Sequence, residues 1–341
     1  MTLGEILDQA IRLYRRNFVS FIGIIAIPYI PLTLIQTGLA YLSTSSLTSF
    51  VNNPPSTFSL PGRYWMGLLG MILVAFLELI LVRGVAGAAL TRAVADGYTG
   101  QAVDVIGSYG KIKSSWSRLL GAILLFSLLA FGVGVGAIFI PCVGWFFGVG
   151  LFIFLSLVIS PLLAPIVVLE RQGVGASLRR AWDLGRTRFW WLLGFALILS
   201  LLAQLIITGP SYVIKMVLQY VLLAQGNYQA QLVWSTVIQV FVQMVGGLLY
   251  LPLQLSAMTV VYFDLRVRSE GLDLALQATA NAGAETNIVA LTDTSPQPTP
   301  SLMTGTEVGQ LILVSFATMA LYAILVGIIF AVAIATASAF Q

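Results

Sequence analysis

Residues 145–169 read WFFGVGLFIFLSLVISPLLAPIVVL, 25 consecutive positions without a charge, closed by Glu170 and Arg171. A helix of about 20 mainly apolar residues crosses the hydrocarbon core of a bilayer, so this stretch reads as a transmembrane span. Pro161 and Pro165 near its end are tolerated where neighbouring helices re-satisfy the freed carbonyls. Six further stretches qualify: Phe18–Leu42, Tyr64–Ala89, Leu119–Pro141, Phe189–Gly209, Leu232–Phe263 and Gly309–Ala337. The composition agrees. Of 341 residues, 58% are hydrophobic and 9% charged, against about 25% charged in a soluble domain, so polar groups cannot cover a water-facing surface. The polar–apolar alternation of barrel strands is absent. The expected fold is all-α, a polytopic membrane protein.

Fifteen of the 17 Lys and Arg residues lie before the first span, around the second-to-third and fourth-to-fifth connections, or after the sixth. Only Arg63 and Lys215 fall on the other side. Basic loops stay in the cytoplasm, so the N-terminus is expected inside and the C-terminus, after a seventh span, outside. Residues 1–17 are not expected to form a cleavable signal, because the charges follow the first helical turns and no hydrophobic region with a cleavage site comes after them.

The basic connections share a pattern. Residues 1–16 read as an amphipathic helix with an apolar stripe of Leu3, Ile6, Leu7, Ala10, Ile11 and Tyr14. Thr2 and Glu5 are spaced as a capping box. Similar segments run over Val103–Trp116 and Val174–Thr187. Aligned on Gly23, Gly121 and Gly194, an aromatic stands five positions earlier (Phe18, Trp116, Phe189) and a cation eight earlier (Arg15, Lys113, Arg186). Such a helix lies in the membrane interface, with its aromatic at headgroup level and its cation reaching the phosphates. Residues 1–276 are therefore expected to form a six-span core of three amphipathic helix–span–span units. Common ancestry of the units and convergence on interface chemistry both account for the pattern. Residues 277–308, rich in Thr, Ala, Pro, Asn and Ser, read as a flexible linker. Residues 309–341 carry the seventh span, which the linker frees from any need to pack beside the sixth.

Three stretches carry a family likeness: residues 3–18 (LGEILDQAIRLYRRNF), Val168-Leu169-Glu170 with Ser177-Leu178-Arg179-Arg180-Ala181-Trp182, and residues 262–274 (YFDLRVRSEGLDL). Together they resemble the membrane domain of the bacterial glycerophosphoryl diester phosphodiesterase membrane-domain family, in the form that stands alone. The resemblance implies a six-span domain in the bacterial cytoplasmic membrane. It does not imply the phosphodiesterase reaction, because that family's catalytic barrel uses paired histidines and this chain contains no histidine. The linker and seventh span depart from the family pattern.

Chemistry-bearing residues are few. Zero histidine and the single Cys142 exclude histidine-based triads, histidine zinc sites and thiolate clusters, so no catalytic, cofactor or metal site is expected. Glu78 falls near the middle of the second span, where an ionised group costs a few kcal/mol or more. It reads either as a proton or substrate contact or as a protonated acid bonded to a neighbouring helix. Arg83, five residues on, stands about 140° around an α-helix from it, a poor position for pairing. Gln239, Gln243, Tyr250 and Gln254 share a face of the sixth span with Gly246 and Gly247, opposite Gln204 and Thr208. That face either lines a polar path or holds helices together through amide bonds across a close glycine contact. Gly132, Gly134, Gly136, Gly144 and Gly148 read as small residues at helix contacts, since a phosphate loop needs a strand-to-helix context and a lysine. Arg15, Lys113, Arg179, Arg180 and Arg186 are candidates for anionic headgroups. Asp264 and Arg266 are expected to cap the sixth span.

The expected role is non-enzymatic: a scaffold, assembly factor or accessory subunit. The alternative is a transporter or channel-like protein with a polar path near Glu78, Arg83 and Gln243. Expected partners are the anionic bilayer and a membrane protein or second copy of the chain, not nucleic acid.

Overall fold

The structure, a computed structural model, describes residues 2–52, 62–98, 100–140, 144–223, 228–272 and 303–339. The linker between 277 and 302, and Cys142, lie outside the described residues. Every described element is a helix, and seven helices are long and apolar enough to cross a membrane. This is an all-α, multi-pass membrane protein.

The first unit comprises α1 (Leu3–Arg16), α2 (Phe18–Asn52), α3 (Gly62–Glu78), a π-helical turn over Leu79–Ala86, and α4 (Gly87–Tyr98). The second comprises α5 (Val105–Ile112), α6 (Trp116–Phe139), a π-helical Gly144–Gly148 and α7 (Val149–Leu169). The third comprises α8 (Val174–Arg186), α9 (Phe189–Ala203), a π-helical Gln204–Thr208, α10 (Gly209–Leu223) and α11 (Tyr228–Glu270). The seventh span is α12 (Gly305–Ala339). Most of these helices run beyond the apolar stretches that announce them. The capping box forms: Glu5 N–H donates to Thr2 Oγ1 at 3.3 Å and Thr2 N–H to Glu5 Oε2 at 2.8 Å. Asp104 caps α5 by accepting from Gly107 N–H at 2.6 Å. Ile6, Ala10 and Tyr14, at helical spacing, bury the inner face of α1.

The three units close into a ring. A Cβ placed on Gly23 would lie 3.2 Å from Val105, one on Gly121 would lie 2.8 Å from Val174, and one on Gly194 would lie 3.8 Å from Leu3. Val105, Val174 and Leu3 are the first residues of α5, α8 and α1. Each aligned glycine thus receives the tip of the next unit's amphipathic helix, and the third receives the first. Equivalent hydrogen bonds repeat: Ser20, three before Gly23, donates to Val103 O, and Arg118, three before Gly121, donates to Arg171 O. The return spans α4, α7 and α11 contact one another at the centre. Each outgoing span packs on its own unit's return span and on that of the preceding unit. The result is pseudo-threefold, with an inner triad and an outer ring.

The third unit departs from the pattern at its aromatic. Phe18 and Trp116 are exposed, but Phe189 is buried against Phe154, with ring centroids 4.6 Å apart, and neighbouring Trp190 takes the exposed place. The seventh span docks on the fourth. A Cβ on Gly150 would meet Ser315 Cα at 2.9 Å, Phe146 and Phe316 pack edge to face at 4.7 Å, and Arg186 Nη1 lies 3.1 Å from Glu307. Of the five small residues, Gly144 and Gly148 pack on Ala137, whereas a Cβ on Gly132, Gly134 or Gly136 would meet nothing within 4 Å. Those three glycines are therefore not helix contacts.

Candidate functional site

Charged side chains gather in two places. The first is the end of the bundle that carries the amphipathic helices. There Arg180 Nε donates to Glu170 Oε2 at 3.0 Å and Nη2 donates to Glu270. Arg266 Nε donates to Glu270 Oε2 at 2.8 Å, and its Nη1 lies 3.6 Å from Glu170 Oε1. The Tyr262 hydroxyl donates to Glu170 Oε1 at 2.9 Å and accepts from Arg266 Nη1 at 3.2 Å. Two carboxylates thus meet two guanidiniums in a neutral cluster that ties α7, α8 and α11 together. Burial alone would lower the Arg180 pKa, but Glu170 and then Glu270 more than offset it and hold the group above its ordinary value. All five residues belong to two of the three stretches that carry the family resemblance, 168–182 and 262–274. Those stretches converge in space on a joint.

Further pairs surround this joint. Asp96 meets Lys111 at 2.7 Å, Asp183 meets Arg179 at 3.4 Å and Arg186 at 3.1 Å, and Asp264 meets Arg268 at 3.1 Å and Arg188 at 3.7 Å. Three candidates for headgroup contact, Arg179, Arg180 and Arg186, therefore stand beside carboxylates of the protein itself. Arg15 and Lys113 are exposed. Asp264 and Arg266 do more than cap a helix, because their partners lie on other elements as well.

The second gathering is a cavity inside the triad. One part, of about 360 Å³, lies between the return spans, with Arg83 and Thr91 on the second, Ser156 and Ser160 on the fourth, and Gln254 and Thr259 on the sixth. A second part, of about 390 Å³, shares Arg83, Ala196, Leu251, Gln254 and Met258 with the first and extends to Glu78, Tyr29 and Tyr250. Five shared residues make the two parts direct neighbours. Toward the amphipathic helices the space ends where Thr91 Oγ1 and Thr259 Oγ1 meet at 3.3 Å. Beyond that pair nearly every residue of 92–96, 166–170 and 260–266 is buried.

The π-helical turn decides where Arg83 stands. Its i→i+5 hydrogen-bond pattern brings a residue and the fifth after it to one side, so Glu78 and Arg83 line one cavity instead of opposite faces of an α-helix. Among the described residues neither makes an ion pair. The glutamine face divides. Gln254 lines the cavity, whereas Gln204 and Gln243 are exposed and Gln239 is half-buried outside it. The close glycine contact forms, with Gly246 on the backbone of Ile206 and Ile207 and Gly247 against the Tyr29 ring. The Tyr29 hydroxyl donates to the Gln243 carbonyl at 3.4 Å, so a backbone group makes the cross-helix bond there.

Comparison with known protein families, with curated proteins and with solved structures finds no match to this chain.

Two groups escape a reading by sequence. Thr91 and Thr259 look like ordinary small polar residues in spans, and only the ring closure brings them together. Glu170 and Glu270 lie 100 positions apart in the chain; their one signal is that each sits in a polar motif at the end of a span. No three of His, Cys, Asp or Glu come together as a metal site among the described residues. The cavity supplies a fixed cation, an acid, an amide and hydroxyls, which is binding chemistry for an anionic or polar solute.

Proposed function

We propose that the protein is a transporter or channel-like membrane protein that takes an anionic group into the cavity of its inner triad, with Arg83 as the binding cation. One observation carries this reading: the exposed guanidinium of Arg83, on the second apolar span, lines a cavity between three spans and has no carboxylate partner among the described residues. Charged groups within a membrane interior mark substrate or ion paths, and a planar guanidinium suits carboxylate or phosphate. The Glu78 carboxylate in the same cavity opposes an anion, so its removal favours binding. The scaffold reading draws support from an extra span free to seek a partner; docking of α12 on α7 removes part of that support. The protein acts without enzymatic chemistry. It sits in the bacterial cytoplasmic membrane with the amphipathic helices inside, and residues 1–276 are a form of the membrane domain they resemble.

The test is equilibrium binding of butyl phosphate to the full-length protein in nanodiscs of zwitterionic lipid, followed by uptake into proteoliposomes. Saturable binding that falls about tenfold or more in Arg83→Gln, and strengthens in Glu78→Gln, is the expected result. Equal binding by wild type and Arg83→Gln, or no uptake alongside a stoichiometric membrane-protein partner in native gels, returns the scaffold reading to first place.

A further inference from the structure

A third hollow, of about 520 Å³, opens on the flank of the bundle between α6, α7 and α12. Its lining is almost wholly apolar, with Ala137, Phe146, Val149, Met319 and Tyr322 among the walls and Gly134 leaving space. Ser315 and Thr318 also line it, but their hydroxyls donate back to Leu311 O and Val314 O of their own helix. They therefore offer the hollow no free donor. Phe152 lines both this hollow and the part of the central cavity that holds Arg83. One ring is thus the common wall of an apolar groove at lipid depth and a polar cavity with a fixed positive charge.

We infer that the two spaces form a single site for an anionic amphiphile: the phosphate or carboxylate head lies against Arg83, and one alkyl chain passes Phe152 into the groove between α6, α7 and α12. This deepens the proposed function and rests on it, since the head site is the cavity already assigned. Charge complementarity selects the head, and the groove's largely apolar lining selects the chain. The seventh span acquires a specific task. It is absent from the threefold ring, packs mainly against the second unit with an ion pair to Arg186 of the third, and supplies the wall that makes the groove deep enough for a chain.

The experiment compares butyl phosphate with dodecyl phosphate on the full-length protein in zwitterionic nanodiscs, with empty discs subtracted. Dodecyl phosphate is expected to bind about tenfold tighter or more, because each methylene withdrawn from water contributes about 0.8 kcal/mol. Gly134→Phe should abolish that preference and leave butyl phosphate untouched. Gly134 lines the groove and a Cβ at this position meets nothing within 4 Å, so the new side chain starts in open space. Met319→Trp fills the same groove from the opposite wall and should act alike. Equal affinity for the two chain lengths, or a dodecyl preference unchanged in both variants, overturns the inference while the cavity reading stands. Failure of butyl phosphate itself to bind removes the cavity reading first. Competition by discs doped with phosphatidate would assign the bilayer as the source of the amphiphile. Lack of such competition would assign a water-borne one, and either result supports the shared head-and-chain chemistry.

Discussion

The joint at Glu170 and the cavity at Arg83 both place charge among apolar spans, the first buried and the second exposed, and they handle it in opposite ways. At the joint, every formal charge has an opposite one in hydrogen-bond or ion-pair reach, and a tyrosine hydroxyl satisfies a further lone pair. In the cavity, Glu78 and Arg83 share a space without pairing. A closed cluster fixes the relative positions of three helices; an open one leaves binding capacity for something else. The contrast separates charge that builds from charge that acts.

The comparison breaks most sharply at Glu170. Glu170→Ala leaves two buried guanidiniums sharing one carboxylate, and removing one partner of a buried ion pair costs about 3–5 kcal/mol. Thermal unfolding in mild detergent should shift far down, and a loss below about 1 kcal/mol would mean that the joint is ornamental. Glu307→Gln comes next. It removes a carboxylate that meets Arg186 and accepts from the Thr304 N–H at 2.6 Å, and a loss of about 1–2 kcal/mol is expected from cap and pair together. Site-directed crosslinking between positions 146 and 316 should report the loosening of the seventh span. Arg83→Gln should be the mildest for stability, within about 1 kcal/mol, although it is the most damaging to binding. If it destabilised the protein as much as Glu170→Ala does, the distinction between the two regions would collapse.

The span pattern and the threefold organisation were legible because both are written locally, one in runs of apolar residues and the other in an aromatic and a cation at fixed distances from a glycine. The Thr2–Glu5 cap was legible for the same reason. The joint was not, since Glu170 and Glu270 meet only after three units have packed, and nothing within either segment names the other. Arg83 failed differently. A regular α-helix puts it on the wrong side of Glu78, and nothing in the local sequence announces the π-helical turn over Leu79–Ala86. Arg180 illustrates the remaining gap: a cation in an amphipathic helix reads as a headgroup contact until its carboxylate partners are placed.

Closure of the ring also sets an order of assembly. The hydroxyl of Tyr14 donates to Leu249 O, across 235 positions of the chain, and the tip of α1 seats at Gly194 in the third unit. Of the core helices α1 is made first, and it therefore waits for the last core span before its docking place is complete. During synthesis it must rest on the bilayer surface, for which its two-faced character equips it, and the completed bundle then takes it in.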